Sequence, residues 1–159
     1  VKINLGDAAA VRGAFDTIVA NAKAYKADAR IDGVLVQKMA PKGQEVILGA
    51  NRYPKFGHLI MFGSGGVMVE VFKDVTFRLA PFSRNSARWM VRGIKGHALL
   101  NGFRDQPKAD IAHIEKLLVC LSNLVTDHPE IKELDINPLL VHPEGQGATV
   151  ADCRFILEA

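Results

Sequence analysis

Two strand-like segments near the end of the sequence carry polar side chains of types that hold metal ions. The first reads Glu-Leu-Asp-Ile-Asn-Pro over residues 133–138, and the second reads Val-Ala-Asp-Cys-Arg-Phe-Ile-Leu over residues 150–157. Side chains alternate between the two faces of a strand, so Asn137 lies on the polar face of the first segment and Asp152 on that of the second. The His-Pro-Glu-Gly-Gln-Gly turn between them predicts a C-terminal β-hairpin.

One register of this hairpin makes every cross-strand pair chemically sensible. If the turn is centred between Glu144 and Gly145, Asn137 lies directly opposite Asp152. The same register predicts three further pairs, Asp135–Arg154, Ile136–Cys153 and Leu134–Phe155. A slip of one residue would exchange the polar and apolar faces of a strand. Opposite residues have Cβ atoms roughly 5 Å apart, which lets two oxygen ligands share one cation.

The ligand types of this pair favour Mg²⁺ over zinc. Mg²⁺ is usually held by one or two protein oxygens, while phosphates and waters complete its octahedron. Zinc would favour His or Cys, and Cys153 points to the opposite face of the hairpin. The alternative interpretation is a polar hairpin face with an Asp135–Arg154 ion pair and nothing bound. In either case Asp152 is the carboxylate that Arg154 leaves free.

The rest of the sequence alternates between strand and helix patterns. Strands are predicted at residues 1–5, 33–39, 45–50, 59–62, 67–72 and 76–79. Helices are predicted after Asp7, which can cap the first turn, between residues 81 and 102 with breaks at Gly93 and Gly96, and over residues 110–126. Adjacent strands would form hairpins, 33–39 with 45–50 and 59–62 with 67–72. This order indicates an α+β fold with a mostly antiparallel sheet and packed helices.

Composition argues against several classes of protein. The 159 residues are 48% hydrophobic, enough for a buried core, and the net charge of +3 is mild and scattered, which argues against nucleic-acid binding. No apolar run approaches the ~20 residues of a membrane span, and the first residues lack the zones of a signal peptide. Cys120 and Cys153 lie in apolar surroundings, which predicts buried thiols in a reducing, cytoplasmic compartment.

Several motifs occur in an order that resembles a known family. They are Gly-Val-Leu-Val-Gln-Lys-Met at 33–39, Gly-x-Glu at 43–45, Phe-Gly-x-Leu-Ile-Met-Phe-Gly-x-Gly-Gly at 56–66, Glu-Leu-Asp-Ile-Asn-Pro at 133–138 and Ala-Asp-Cys-Arg at 151–154. Together they resemble the ATP-grasp domain of the ADP-forming (NDP-forming) acyl-CoA synthetases, relatives of the succinyl-CoA synthetase β chain. The resemblance covers nearly the whole chain and implies an ATP-grasp-like fold that ends in the C-terminal hairpin.

The resemblance implies a nucleotide-dependent reaction. In this family an acyl-CoA, ADP and phosphate are converted reversibly to the acid, CoA and ATP through a phosphohistidine. The ATP-grasp part holds ATP or ADP between two lobes, while the phosphohistidine and the CoA site lie on other domains or on a partner subunit. On this basis residues 1–80 would form the strands and helix of a nucleotide lobe. Residues 81–159 would form helices and the metal-binding hairpin.

The resemblance also implies roles for individual residues. Asn137 and Asp152 match the Mg²⁺ ligands of the family. The strand that lines the adenine pocket between the lobes is matched by three consecutive residues, Gln37, Lys38 and Met39. Glu45 follows on the next strand and is expected to reach the ribose or an ordered water.

Other candidates have a structural alternative beside the functional one. Gly65 and Gly66 could present backbone N–H groups to a phosphate, but without the Lys-Ser/Thr of a Walker A loop they also suit a tight hairpin turn. Arg104 could neutralise phosphate charge, with a surface ion pair as the alternative. His58 and His97 could act as general acids or phosphoryl acceptors, although a lone histidine is more often a loop or surface residue.

Departures from the family pattern limit what the chain is expected to do alone. The upstream lobe segment with its phosphate-binding lysine would precede Val1, so the isolated chain is expected to be inactive. His58 replaces a usual Pro, and Asp105 a usual Gly. The predicted function is the Mg²⁺- and nucleotide-binding part of an ADP-forming acid–CoA ligase. The alternatives are a ligand-binding or regulatory module of a protein acetyltransferase and a degenerate structural domain.

Overall fold

Asp7 begins the first helix of the chain, as the sequence predicts. The computed structural model describes residues 1–158 without the side chains of residues 67, 68 and 70. In it the Asp7 carboxylate accepts the N–H of Ala10 at 2.8 Å. Helix α1 (Ala8–Tyr25) follows and belongs to a compact unit of its own, Val1–Met39. The chain from Ala40 onwards forms a second compact unit. The lobe boundary expected after residue 80 stays a prediction.

The strands predicted at residues 1–5 and 33–39 are wrong. Neither segment pairs with a strand among residues 1–158, so the predicted hairpin of 33–39 with 45–50 does not form. Apolar alternation supplies only a preference for extended structure, because a strand also requires a neighbour that completes its hydrogen-bond ladder. Leu35 and Val36 are exposed accordingly.

An antiparallel sheet forms the frame of the second unit. Its six strands are β1 (Gln44–Tyr53), β2 (Gly57–Ser64), β3 (Val75–Leu79), β4 (Ile131–Val141), β5 (Ala148–Val150) and β6 (Cys153–Leu157). Their order is β3-β2-β1-β4-β5, and β6 pairs with β4 as well. The long strand β4 is therefore paired by β5 along one part and by β6 along another. The predicted α+β class with a C-terminal hairpin is confirmed.

Helices on one face of the sheet build the hydrophobic core. They are α3 (Arg84–Gly93), α4 (His97–Leu100) and α5 (Ile111–Asp127), whereas the short helix α2 (Val67–Phe72) follows β2 and contributes no described side chain to this core. The predicted breaks at Gly93 and Gly96 and the predicted long helix over residues 110–126 are confirmed. Helices α3 and α5 pack on each other and on β2, around buried side chains that include Leu48, Ile60, Phe62, Met90, Ile114, Leu118 and Leu134. Within residues 1–158 no helix is long and apolar enough to span a membrane.

Residues 67–72 form helix α2 rather than the predicted strand. Gly66, with φ of 59°, redirects the chain after β2. Lys73 adopts the left-handed conformation at φ of 48° and ends the helix, with its N–H bonded to the carbonyl oxygen of Val69. The alternating valines also suit a strand, but the place beside β2 is taken by β3. The pairing of β3 with β2 therefore outweighs the local preference of residues 67–72 for a strand.

Candidate functional site

The C-terminal hairpin has the predicted register. Strand β4 pairs with β6 through Asp135–Arg154, Ile136–Cys153 and Leu134–Phe155. One residue further along, the N–H of Asn137 donates to the carbonyl oxygen of Asp152 at 3.1 Å. The two candidate metal ligands therefore lie opposite each other.

Asn137 and Asp152 lie at a break in the ladder, between the parts of β4 that pair with β5 and with β6. Both residues are exposed. The Oδ1 atom of Asp152 accepts the N–H of Cys153 at 2.9 Å, which orients the carboxylate. In the part of the chain that the structure describes, no hydrogen bond engages Asp152 Oδ2 or the side-chain amide of Asn137. Each residue thus keeps an oxygen for a cation.

The face that carries this pair holds more negative than positive charge. Arg154 pairs with Glu133 and not with Asp135, which corrects the predicted ion pair. The long Arg side chain reaches the diagonal neighbour on β4 rather than the residue directly opposite. Burial raises the pKa of the Asp135 carboxyl, Arg154 opposes this rise, and the negative charges of Glu133 and Asp152 add to it. One arginine therefore faces three carboxylates.

Glu45 lies on the same face of the sheet as these carboxylates. On β1 the side chains of Val46 and Leu48 enter the helix-covered core, so alternation places Glu45 on the opposite face. On β4 Leu134 enters the core in the same way, which places Asp135 opposite the helices. The sheet therefore positions the acidic residues of two neighbouring strands on the face that the core helices do not cover.

The glycine segment after β2 is held against Glu45. The N–H of Gly65 donates to the carbonyl oxygen of Glu45 at 2.8 Å, so this N–H is not available to a phosphate. Gly66, at φ of 59°, is in the region that favours glycine. A Cβ added at Gly66 would lie 3.4 Å from Oε2 of Glu45. The structure thus brings Glu45, Gly65 and Gly66 together.

A cavity of about 600 Å³ opens beside this segment. Its lining includes Glu45, Ser64, Gly65, Gly96, Arg104 and Asp105. The Arg104 guanidinium lies 5.2 Å from the centre of the Phe103 ring, and it forms no ion pair with any side chain that the structure describes. Its backbone has φ of 55°, an uncommon conformation for a residue with a side chain. The surface ion pair considered for Arg104 is therefore not found in the described part of the chain.

Asp74 fixes the wall of this cavity and was not predicted from the sequence. Its carboxylate accepts the Ser64 hydroxyl at 2.6 Å, the Lys95 N–H at 2.6 Å and the Gly96 N–H at 2.7 Å. Burial opposes its charged form, yet these hydrogen bonds together lower the pKa of the Asp74 carboxyl. The residue joins the end of β2 to the turn between α3 and α4. No sequence spacing signals this role, since two of the three donors are backbone groups.

The predicted adenine-strand residues belong to the first unit. Gln37, Lys38 and Met39 are exposed and line an apolar cavity of about 660 Å³ within residues 1–39. Their role toward the nucleotide stays a prediction.

His58 and the two cysteines differ from the sequence expectations. His58 is buried, and its Nε2 lies 2.6 Å from the carbonyl oxygen of Ile131, which indicates a structural role in joining β2 to β4. Cys120 and Cys153 are exposed, so the prediction of buried thiols is wrong. Cys120 lies on the outer side of α5, and Cys153 on an edge strand that only β4 pairs. Among the side chains that the structure describes, no three of His, Cys, Asp or Glu converge on a metal position.

Gly65→Ala is expected to lower the free energy of unfolding by about 2 kcal/mol. The added Cβ would lie 2.5 Å from the Cβ of Glu45 and 2.7 Å from its carbonyl carbon and oxygen, so the β1–β2 edge must shift. Denaturant unfolding measures the change. Gly13→Ala is the matched control because nothing lies within 4 Å of its added Cβ. Equal stability of the Gly65→Ala variant and the parent would contradict the close approach.

Comparison with known proteins identifies relatives of the chain. The model of the ATP-grasp domain matches residues 1–157. The chain is 47% identical over 155 residues to a 4-hydroxybutyrate–CoA ligase (ADP-forming) of Nitrosopumilus maritimus, a match that covers 98% of the chain but 22% of that relative. It is 43% identical to the β subunit of acetate–CoA ligase (ADP-forming) II of Pyrococcus furiosus, covering 99% of the chain and 67% of that subunit. The chain thus spans about a fifth to two thirds of these relatives.

Solved structures of a dinucleotide-forming acetyl-coenzyme A synthetase 1 from Ca. Korarchaeum cryptofilum share the fold. A complex with coenzyme A, Ca-AMPCP and HgCl⁺ has a TM-score of 0.92 at 42% identity, covering 99% of this chain and 68% of that chain. A complex with coenzyme A and Mg-AMPPCP has a TM-score of 0.84 at 39% identity, covering 99% and 67%. By sequence and by fold, this chain belongs to the ATP-grasp family, as the ATP-grasp domain of the ADP-forming acyl-CoA synthetases.

Proposed function

We propose that this chain is the nucleotide-binding part of an ADP-forming acid–CoA ligase, which converts acyl-CoA, ADP and phosphate to the acid, CoA and ATP. The observation that carries the proposal is the Asn137–Asp152 pair, set opposite by the hairpin on the carboxylate-rich face of the sheet. Relatives named as ADP-forming ligases support the reaction class. A structural neighbour in complex with coenzyme A and Mg-AMPPCP supports a magnesium nucleotide as the ligand.

The donor chemistry of the pair fits Mg²⁺. An amide oxygen and a carboxylate oxygen are hard ligands, and Mg²⁺ takes one or two such ligands from the protein while phosphate oxygens supply others. The excess negative charge around Asp135 adds to the attraction for a cation. The positive charge that Mg²⁺ supplies when bound would offset the negative charge of the nucleotide phosphates. Asn137 and Asp152 would hold that ion in position.

Other residues are proposed to contact the nucleotide on the pattern of the family. Glu45 would face the ribose or an ordered water, and Gly66 keeps an N–H free for a phosphate, since no backbone acceptor in the described part of the chain takes it. Gly65 instead permits the close approach of the glycine segment to β1. Gln37, Lys38 and Met39 would line the adenine pocket. The phosphohistidine and the CoA site are proposed to lie on another domain or subunit of the same enzyme.

A nucleotide-binding experiment on the intact protein tests this proposal. We expect ADP or ATP at about a hundred times its dissociation constant to raise the unfolding free energy by about 2.7 kcal/mol with Mg²⁺ present. EDTA is expected to remove most of this gain. A thermal-unfolding series with nucleotide, with Mg²⁺ and with both separates the contributions. The absence of any nucleotide-dependent shift with Mg²⁺ would overturn the proposal.

A further inference from the structure

A row of three arginines lies on one side of helix α3. Arg84, Arg88 and Arg92 are four residues apart, so their side chains leave the helix on the same side. Like charges at this spacing repel one another and destabilise a helix. The row therefore costs stability unless negative groups neutralise it.

Glu115 of helix α5 neutralises part of this charge and fixes two of the arginines. It is 6% exposed. Its Oε2 accepts the Nε–H of Arg84 at 3.2 Å, and its Oε1 accepts the Nε–H of Arg88 at 3.3 Å. Both bonds use Nε, and among the described side chains and backbone groups no acceptor engages the terminal Nη atoms of the two guanidinium groups. The buried carboxylate thus positions two arginines and leaves most of their donors unused.

These side chains line a cleft of about 290 Å³ between α3 and α5. Arg92 and Lys108 also line it, and Lys108 pairs at 2.6 Å with Glu144. The lining carries four cationic side chains against two carboxylates, which leaves a positive excess. In the part of the chain that the structure describes, Arg92 has no ion-pair partner.

His97 adds a ring nitrogen without a described partner to the same lining. Its Nε2 lies 2.9 Å from the side-chain nitrogen of Asn101, which leaves Nδ1 as the ring nitrogen outside this contact. This Nδ1 is buried, and among the described residues it has no hydrogen-bond partner. The cleft lining therefore includes one unpartnered ring nitrogen beside its cationic side chains.

The cleft is separate from the proposed metal site. Helices α3 and α5 pack on the core side of the sheet, whereas Asp135 and the Asn137–Asp152 pair lie on the opposite face. An anion held between these helices would not reach that face. Binding in the cleft is therefore independent of the proposed function.

We propose that this cleft binds a phosphate group, carried by inorganic phosphate or by a phosphate monoester. A guanidinium group donates two parallel N–H bonds to phosphate oxygens, and two positioned arginines supply this geometry twice. The volume lies near the lower limit of small-molecule sites, which suits one oxyanion better than a peptide segment. An acidic protein segment is the competing occupant.

Titration of the intact protein with inorganic phosphate tests this assignment. Calorimetry or amide NMR is performed at low ionic strength in the presence of EDTA, so that no metal-held nucleotide site contributes. We expect saturable binding that equimolar chloride does not reproduce. The double variant Arg88→Gln, Arg92→Gln is expected to weaken binding at least tenfold. The single variant Arg92→Gln breaks no described ion pair, so it reports on binding even if the double variant fails to fold.

The charge-matched control is Arg12→Gln on α1, which is exposed and far from the arginine row in sequence. It is expected to change phosphate affinity less than twofold. A parallel titration with phenyl phosphate distinguishes the sources, since tighter binding than inorganic phosphate indicates an ester ligand. Equal losses in the control and in the Arg92→Gln variant would overturn the proposal. So would binding of a poly-glutamate peptide with no binding of either phosphate.

Discussion

Replacing Asp152 with alanine is expected to reduce ATP formation by the intact protein by roughly a thousandfold. The carboxylate keeps one oxygen free, and its loss removes half of the Asn137–Asp152 pair that would hold Mg²⁺. The fold is expected to remain intact, because Asp152 is exposed and its side chain bonds, among the described groups, just the N–H of the next residue. Steady-state assays of acyl-CoA-dependent ATP formation, repeated over a Mg²⁺ series, measure the effect.

The matched control for this variant is Asp16→Ala, an exposed aspartate on helix α1. It makes the same chemical change away from the hairpin and is expected to keep turnover within about twofold of the parent, as for an ordinary surface change. The Asp152→Ala variant should also need more Mg²⁺ for half-maximal rate. If the Asp152→Ala variant kept the turnover of the parent at limiting Mg²⁺, Asp152 would not be a ligand of the metal.

Replacing Asp74 with alanine is expected to lower the free energy of unfolding of the second unit by about 3 kcal/mol. The change leaves the Ser64 hydroxyl and the N–H groups of Lys95 and Gly96 without their acceptor in a buried place. Urea unfolding measures the loss, with the exposed Asp28→Ala as control. A loss no greater than that of the control would contradict the role given to Asp74.

The Asp74 carboxylate should also make stability depend on pH. Its pKa in the folded state is lowered from the ordinary value of 3.8. Its contribution to the free energy of unfolding is therefore complete above pH 3.8. The contribution is lost as the pH falls below 3.8 and through the lowered pKa, because the unfolded chain binds the proton more tightly. Asp74→Asn should therefore flatten the acid limb of a stability–pH curve. An acid limb that keeps its parent slope in this variant would contradict the lowered pKa.

The hairpin could be predicted from the sequence because two independent patterns agree on it. The polar pairs and the apolar pairs, such as Leu134 with Phe155, select the same register, and a slip would spoil both. Residues 67–72 have a single pattern, the alternation of valines, to indicate their structure. Because β3 takes the place beside β2, these six residues form a short helix instead. Residues 33–39 have strong strand preference without a paired neighbour in the described structure.

The positions of candidate-site residues could be predicted from the sequence where strand alternation sets them. They could not be predicted where the reach of a long side chain or the position of backbone N–H groups sets them. The placement of Asn137 opposite Asp152 follows from the spacing of the sequence alone. The Arg154–Glu133 pair does not, because a long side chain selects its partner among several carboxylates in reach. Asp74 does not, because the groups that bond it include N–H groups about twenty residues away, which any sequence supplies.

The hairpin register limits how the length of the chain can vary around the candidate site. Asn137 and Asp152 are placed by the pairing of β4 with β6, and the exposed turn at Glu144 and Gly145 lies beyond β5. Residues inserted at this turn would loop outward without moving the pair. One residue inserted between Leu134 and Asn137 would turn Asn137 toward the core face. A working site is therefore compatible with a turn of variable length but only with strands of fixed spacing.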